Sequence, residues 1–166
     1  MGMNGGYGGL VGRLERWGEA MAASGLEVFE RSVQKSTEWV NGVGRELGSD
    51  DRRYAYRVLR AYLHVLRDRL TISEAAHLAS QLPHLLRGVY YDGWDPDRTP
   101  QTYRDRDTFL SRLAHEARLP GAPEAADAAR AATEVLREHV SPGEVRDVLH
   151  VLPGPVRTLL DPAERH

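Results

Sequence analysis

Glu74 and His77 stand three residues apart. On a helix that spacing puts a carboxylate and an imidazole on one face. Carboxylate-bridged di-metal bundles use such pairs, but they need two of them and two further glutamates. Glu144 and Asp147 lie seventy positions further on, without a histidine. Glu74 and His77 are therefore weak metal candidates, and the expected reading is a polar helix surface with no metal and no cofactor. Nucleophilic chemistry has no foothold. The chain has no cysteine and no G-x-S-x-G elbow. Its glycine-rich start follows no strand and lacks the G-x-G-x-x-G spacing, so it is not a phosphate loop. No residue is assigned a catalytic role. A metal-dependent enzyme using Glu74 and His77 is kept as an alternative.

A second group is Arg53, Arg57, Arg60, His64 and Arg67, which recur at steps of four and three. At helical spacing they form one basic line of about 21 Å. Two readings compete. The line could receive an anionic partner, such as an acidic protein segment or a phosphorylated ligand. It could instead be a solvated face that meets acids of its own chain, such as Glu38 or Glu46. His64 and Asp68, one turn apart, would form an exposed pair. Seventy positions on, the line reads Pro123, Asp127, Arg130, Glu134 and Arg137, which is mixed in sign. A third group is aromatic: Tyr90, Tyr91, Trp94 and Tyr103. Such residues anchor interfaces. They also clasp loops, and Trp94, between Gly93 and Asp95-Pro96, suits a clasp at a tight turn; Tyr91 and Trp94 are the residues expected to act in either way.

These groups are positioned by helices. Over residues 51–70, Ala55, Val58, Leu59, Tyr62, Val65, Leu66 and Leu70 fall on the side opposite the arginines. Ser49 is read as the cap of this helix, with Asp50 and Asp51 in its first turn. Thr71 to Glu74 reads as a capping box opening the next helix, and Pro83 opens a short one after it. Before them, residues 26–47 keep a helical period, with Gly42 and Gly44 as possible sites of a close crossing. Leu10, Leu14, Trp17 and Met21 predict a short amphipathic helix ending near Ser24-Gly25. Residues 1–9 read as a mobile glycine-rich tail.

The pattern then recurs at a constant offset. Arg60, Ala61, Val65, Leu66 and Arg67 meet Arg130, Ala131, Val135, Leu136 and Arg137 seventy positions on. Ser141 to Glu144 matches the first capping box, and Leu82-Pro83 matches Leu152-Pro153. Signals of different physical kinds agree. The expected architecture is all-α: a glycine-rich tail and short amphipathic helix (1–25), a helical unit (26–91), a loop (92–106) and a second unit (107–162). Each unit is expected to be a bundle of about four helices.

Composition narrows the class further. With 41% hydrophobic and 28% charged residues, the 166-residue chain reads as an ordinary globular protein. A net charge of −2 argues against general nucleic-acid binding. No apolar run reaches the roughly 18 residues of a membrane span, and no secretory signal is visible. The expectation is a cytoplasmic protein with no membrane partner. Lys35 is the only lysine. Arginine abundance by itself therefore says little about function.

DDRRYAYRVLRAYLHVLRDRL followed by TISEAAHLASQLPHLLRGVYYDGWDP resembles the bacterial family called domain of unknown function 2267. FERSVQKSTEWVNGVGRELG before it, and LSRLAHEARL and VLREHVSPGEVRDVLHVLPGPVRTLL after it, are similar to the same pattern. The resemblance runs from about Phe29 to Leu160. It implies an all-α tandem repeat and no particular reaction. With no convergent polar constellation, the functional expectation is a non-enzymatic helical scaffold or interaction module. Its expected partner is a protein or a second copy of itself, met through the N-terminal helix.

Overall fold

The structure is a computed structural model, which describes residues 7–23 and 25–161. Among the described residues there are nine α-helices and one short 3-10 turn, and no strand. The helices are α1 (Tyr7–Ala23), α2 (Glu27–Leu47), α3 (Arg52–Arg69), α4 (Ile72–Ser80), α5 (His84–Tyr91), α6 (Arg106–Ala117), α7 (Ala122–His139), α8 (Pro142–Val151) and α9 (Gly154–Leu160). The all-α class is as the periodicity predicts. Residues 1–6 of the glycine-rich start lie outside the described residues, whereas Tyr7 to Gly9 form the first turn of α1.

Helix bounds recur at the expected offset. The paired helices α3 and α7 begin at Arg52 and Ala122 and end at Arg69 and His139; α4 and α8 begin at Ile72 and Pro142. Even the stop signals correspond. Gly48, after α2, and Arg118, after α6, both adopt the left-handed conformation. Ser49 N–H then donates to Gly44 O at 2.9 Å, and Leu119 N–H to Ala114 O at 2.8 Å. This is the closure that ties off orphan carbonyls at a helix end. Glycine enters that region freely, while arginine does so at a cost.

Two caps differ from the reading above. Asp51, not Ser49, caps α3: its carboxylate accepts from the backbone N–H of Arg53 at 3.0 Å and of Tyr54 at 3.2 Å. Ser49 Oγ accepts one turn earlier, from Asp51 N–H. The Thr71–Glu74 capping box is complete. At Ser141 the hydroxyl accepts from Glu144 N–H, but the return bond comes from elsewhere. Ser141 N–H donates to Gln81 Oε1 at 2.8 Å, and Gln81 Nε2 donates to Ser141 Oγ at 3.1 Å. A residue sixty positions away thus supplies what Glu144 would have supplied locally.

The two halves do not form separate bundles. One contiguous buried cluster runs from Trp39 to Leu160. Helix α3 lies between α2 and α6, and α7 packs on α2, α6 and α3. A unit of some 60 residues buries too little surface to be robust alone, so the shared core is the more stable arrangement. Three contacts mark the junction. Tyr62 Oη and Thr133 Oγ1 lie 2.8 Å apart, fully buried. Trp39 stacks on His139 with ring centroids 4.9 Å apart. Gly42 faces Val135 so closely that an added Cβ would sit 3.1 Å from its Cγ2. Gly42 therefore does mark a close crossing, of α2 over α7. The alanines Ala125, Ala128, Ala129 and Ala132 are all fully buried on α7, where small side chains let helices approach.

Two stability tests follow. Replacing Gly42 with valine overpacks the α2–α7 crossing and should lower stability by about 1–3 kcal/mol in urea unfolding. Replacing Arg118 with glycine relieves the left-handed strain and should raise stability by a few tenths to about 1 kcal/mol, net of the added freedom of the unfolded chain.

Candidate functional site

The basic line of α3 is the most conspicuous polar feature, and most of it turns inward. Arg57 Nε donates to Ala117 O, at the end of α6, over 2.7 Å. Its guanidinium also sits over the Tyr54 ring at 5.5 Å. Arg60 pairs with Asp92 at 3.3 Å. His64 is only 2% exposed. Its Nε2 donates to Val89 O at 2.7 Å, and its Nδ1 faces Glu116 Oε1 at 3.3 Å. Arg67 is 4% exposed. It donates through Nη1 to Tyr90 O at 2.7 Å and to Asp92 O at 3.0 Å, and through Nε to Asp68 at 3.0 Å. Arg53 points to solvent.

These partners differ from those expected. Glu38 and Glu46 are not among them; the main acceptors are backbone carbonyls at the ends of α5 and α6. The expected exposed pair of His64 with Asp68 is replaced by a buried histidine facing Glu116. The physical reason is that the last carbonyls of a helix have no partner within it. Cationic donors satisfy them with charge-assisted bonds and suit the negative end of the dipole.

The aromatic group lies beside this. Tyr90 and Tyr91 meet edge to face at 5.1 Å, and Tyr91 and Trp94 approach at 5.3 Å. The backbone N–H of Trp94 donates to Tyr91 O, and Gly93 between them has a φ of 72°. Tyr91 and Trp94 are partly buried against the core. Tyr90 is wholly buried, and its hydroxyl donates to Ala75 O at 2.9 Å.

Glu74 and His77 sit on α4, which packs on α8. Burial lifts the carboxyl of Glu144 on α8 above its usual range; His77 pulls it down, and Asp147 and Glu74 push it up. The four residues feel one another, yet among the described residues no three of His, Asp or Glu form a group that could hold a metal ion. Glu74 is turned to Thr71 instead, accepting from its N–H at 2.8 Å. The local need of the helix start takes the carboxylate that a metal site would require.

Residues 36–159 match the model of a family described as an uncharacterized conserved protein, DUF2267. The chain belongs to that family. No curated protein matches it. The DUF2267 match begins at Ser36, and α6 begins at the corresponding position in the second half, Arg106. It leaves out α1 and the first nine residues of α2. Among the described residues no helix is long and apolar enough to cross a membrane.

Several polar residues of this DUF2267 chain were not singled out in the sequence. Arg69 donates to Gln101 O and Val151 O, and Arg87 to Ala79 O at 2.8 Å and Leu82 O at 3.2 Å. Both hold loop or helix-end carbonyls. Gln101 lies in the inter-unit loop and Glu116 on α6. Sequence periodicity could not reveal Arg69, because its partners lie 32 and 82 positions away; Arg87 reaches back only 8 and 5 positions, but across the end of α4.

The brace has a clear signature. Arg67→Gln leaves the carbonyls of Tyr90 and Asp92 short of a donor and should cost about 2–4 kcal/mol in chemical unfolding. Arg53→Gln, on the exposed end of the same line, should change stability by no more than about 0.5 kcal/mol. Equal small effects would remove the brace.

Proposed function

We propose that the protein is a non-enzymatic helical interaction module that pairs with a second copy of itself through its N-terminal arm. One observation carries the reading. The apolar stripe of α2 continues beyond the core into the segment that the DUF2267 match leaves out, and there it is exposed. Phe29 is 57% exposed, Val28 50%, Val33 44% and Leu26 39%; on α1, Leu14 and Trp17 are 61% each. Further along the same helix, Trp39 and Val43 are buried. A helix that ended at the core would have no use for the extra turns. Grouped large apolar side chains of this kind characterise interaction surfaces.

A second copy is the favoured occupant because the arm offers both halves of an interface. Its two consecutive helices each carry an apolar stripe, so a two-fold axis would bury one against the other. The flanking charges are mixed in sign on both helices, so opposite charges can pair across a two-fold axis: Arg13, Glu15, Arg16 and Glu19 on α1, and Glu27, Glu30, Arg31 and Lys35 on α2, all exposed. An anionic partner on α3 is the weaker reading, since Arg57, Arg60, His64 and Arg67 already have partners within the chain. A metal-dependent reaction has no assembled ligand set among the described residues to support it. Light scattering across the micromolar range should give the mass of a dimer for the full chain. The double substitution Phe29→Glu, Val33→Glu, and a chain beginning at Gly25, should give a monomer whose helical circular dichroism is retained. A monomer in every case overturns the reading.

A further inference from the structure

A cleft of about 430 Å³ opens between α3, the inter-unit loop and α6. Its walls include Asp68, Gln101, Tyr103, Ser111, Arg112 and Glu116. Three buried oxygens of these walls, Gln101 Oε1, Tyr103 Oη and Glu116 Oε2, have no hydrogen-bond partner in the chain. Buried polar atoms of this kind demand a partner. Two of the three can only accept, so whatever fills the cleft, water or ligand, meets them as a donor.

The cleft also holds charges that do not neutralise each other. Arg112 and Glu116 are four apart on α6, a spacing that favours an ion pair. Each turns elsewhere. Arg112 lies over the Tyr103 ring at 5.2 Å, with Arg69 at 5.2 Å on the same ring. Glu116 is directed by His64. The Val89 carbonyl can only accept, so His64 Nε2 carries a proton. Its Nδ1 lies 3.3 Å from Glu116 Oε1, and the other oxygen, Oε2, is left for the cleft. Tyr103 stays neutral near neutral pH, because burial pushes its hydroxyl up to about 12 despite the nearby arginines. Arg112 and Glu116 thus line the same space, their Cα positions about 6 Å apart along the helix axis.

We propose that this cleft binds a small zwitterion of the amino-acid class, its ammonium held by Glu116, Gln101 and Asp68 and its carboxylate by Arg112 with Ser111. The ligand supplies donors to the orphaned acceptors and an anion to the unpaired arginine. His64 is a positioning residue, which aims Glu116 without touching the ligand.

The test uses the full chain, labelled with ¹⁵N, and glycine, L-alanine, L-glutamate and L-lysine as probes. At least one probe should give saturable amide shifts centred on Asp68, Gln101, Tyr103, Arg112 and Glu116. The same probe acetylated on nitrogen, or amidated at its carboxyl, should bind about tenfold more weakly or worse, the scale of one lost charged hydrogen bond. Glu116→Gln and Arg112→Gln should each weaken binding to a similar degree. Ser111→Trp, an exposed position that narrows the cleft without removing a charge, should block it. Circular dichroism and the spread of amide resonances check that each variant folds. Absence of saturable shifts with all four probes overturns the proposal. So does equal binding of the blocked forms, or binding that survives both charge substitutions.

Discussion

Every helix ends in carbonyls that its own turns cannot satisfy. A chain that folds into many short helices creates this problem repeatedly, and here the ends of α5 and α6 meet the flank of α3. Arginine and histidine side chains from α3 fill the need: Arg57 at Ala117, His64 at Val89, and Arg67 at Tyr90 and Asp92. Arg87 does the same for the end of α4. The constraint explains why α3 is amphipathic in an unusual way. One side supplies apolar core and the other supplies donors, and both sides are used inside the molecule.

That arrangement sets the architecture. With both faces engaged, α3 sits between α2 and α6, and the core becomes common to both halves. The cross-links then follow: Tyr62 with Thr133, Trp39 over His139, Gln81 with Ser141. Each joins residues that sequence neighbours could not supply. The small side chains at Gly42 and along α7 permit the crossing to close. Stability in this fold is therefore shared across the halves.

The same economy separates the framework from what is left over. Polar groups committed to carbonyls are not available to a ligand, which removes most of the arginine line from consideration. Two features remain uncommitted. One is the apolar arm of α1 and the start of α2, beyond the family-matched region. The other is the cleft where Glu116, Gln101 and Tyr103 keep unpartnered oxygens beside the exposed Arg112. Both lie where the fold itself makes no demand, and that is where function can be accommodated on a scaffold.

Local signals in the sequence determined a good part of the molecule. Apolar period, capping residues and prolines act within one or two turns, so the helices, the Thr71 box, the close approach at Gly42 and the constant offset could be read directly. So could the family. Asp51 took the cap from Ser49 through the local geometry of one turn. Three matters were decided only by tertiary structure. Gln81 replaced the return bond of Glu144 because α4 lies against α8. The line from Arg57 to Arg67 was legible as basic, but its partners were carbonyls, which every residue has and no composition can distinguish. The cleft joins residues of α3, a loop and α6 that share no spacing rule. Hydrophobic periodicity reports which face of a helix is buried; which distant backbone atoms that helix meets is settled by packing in three dimensions.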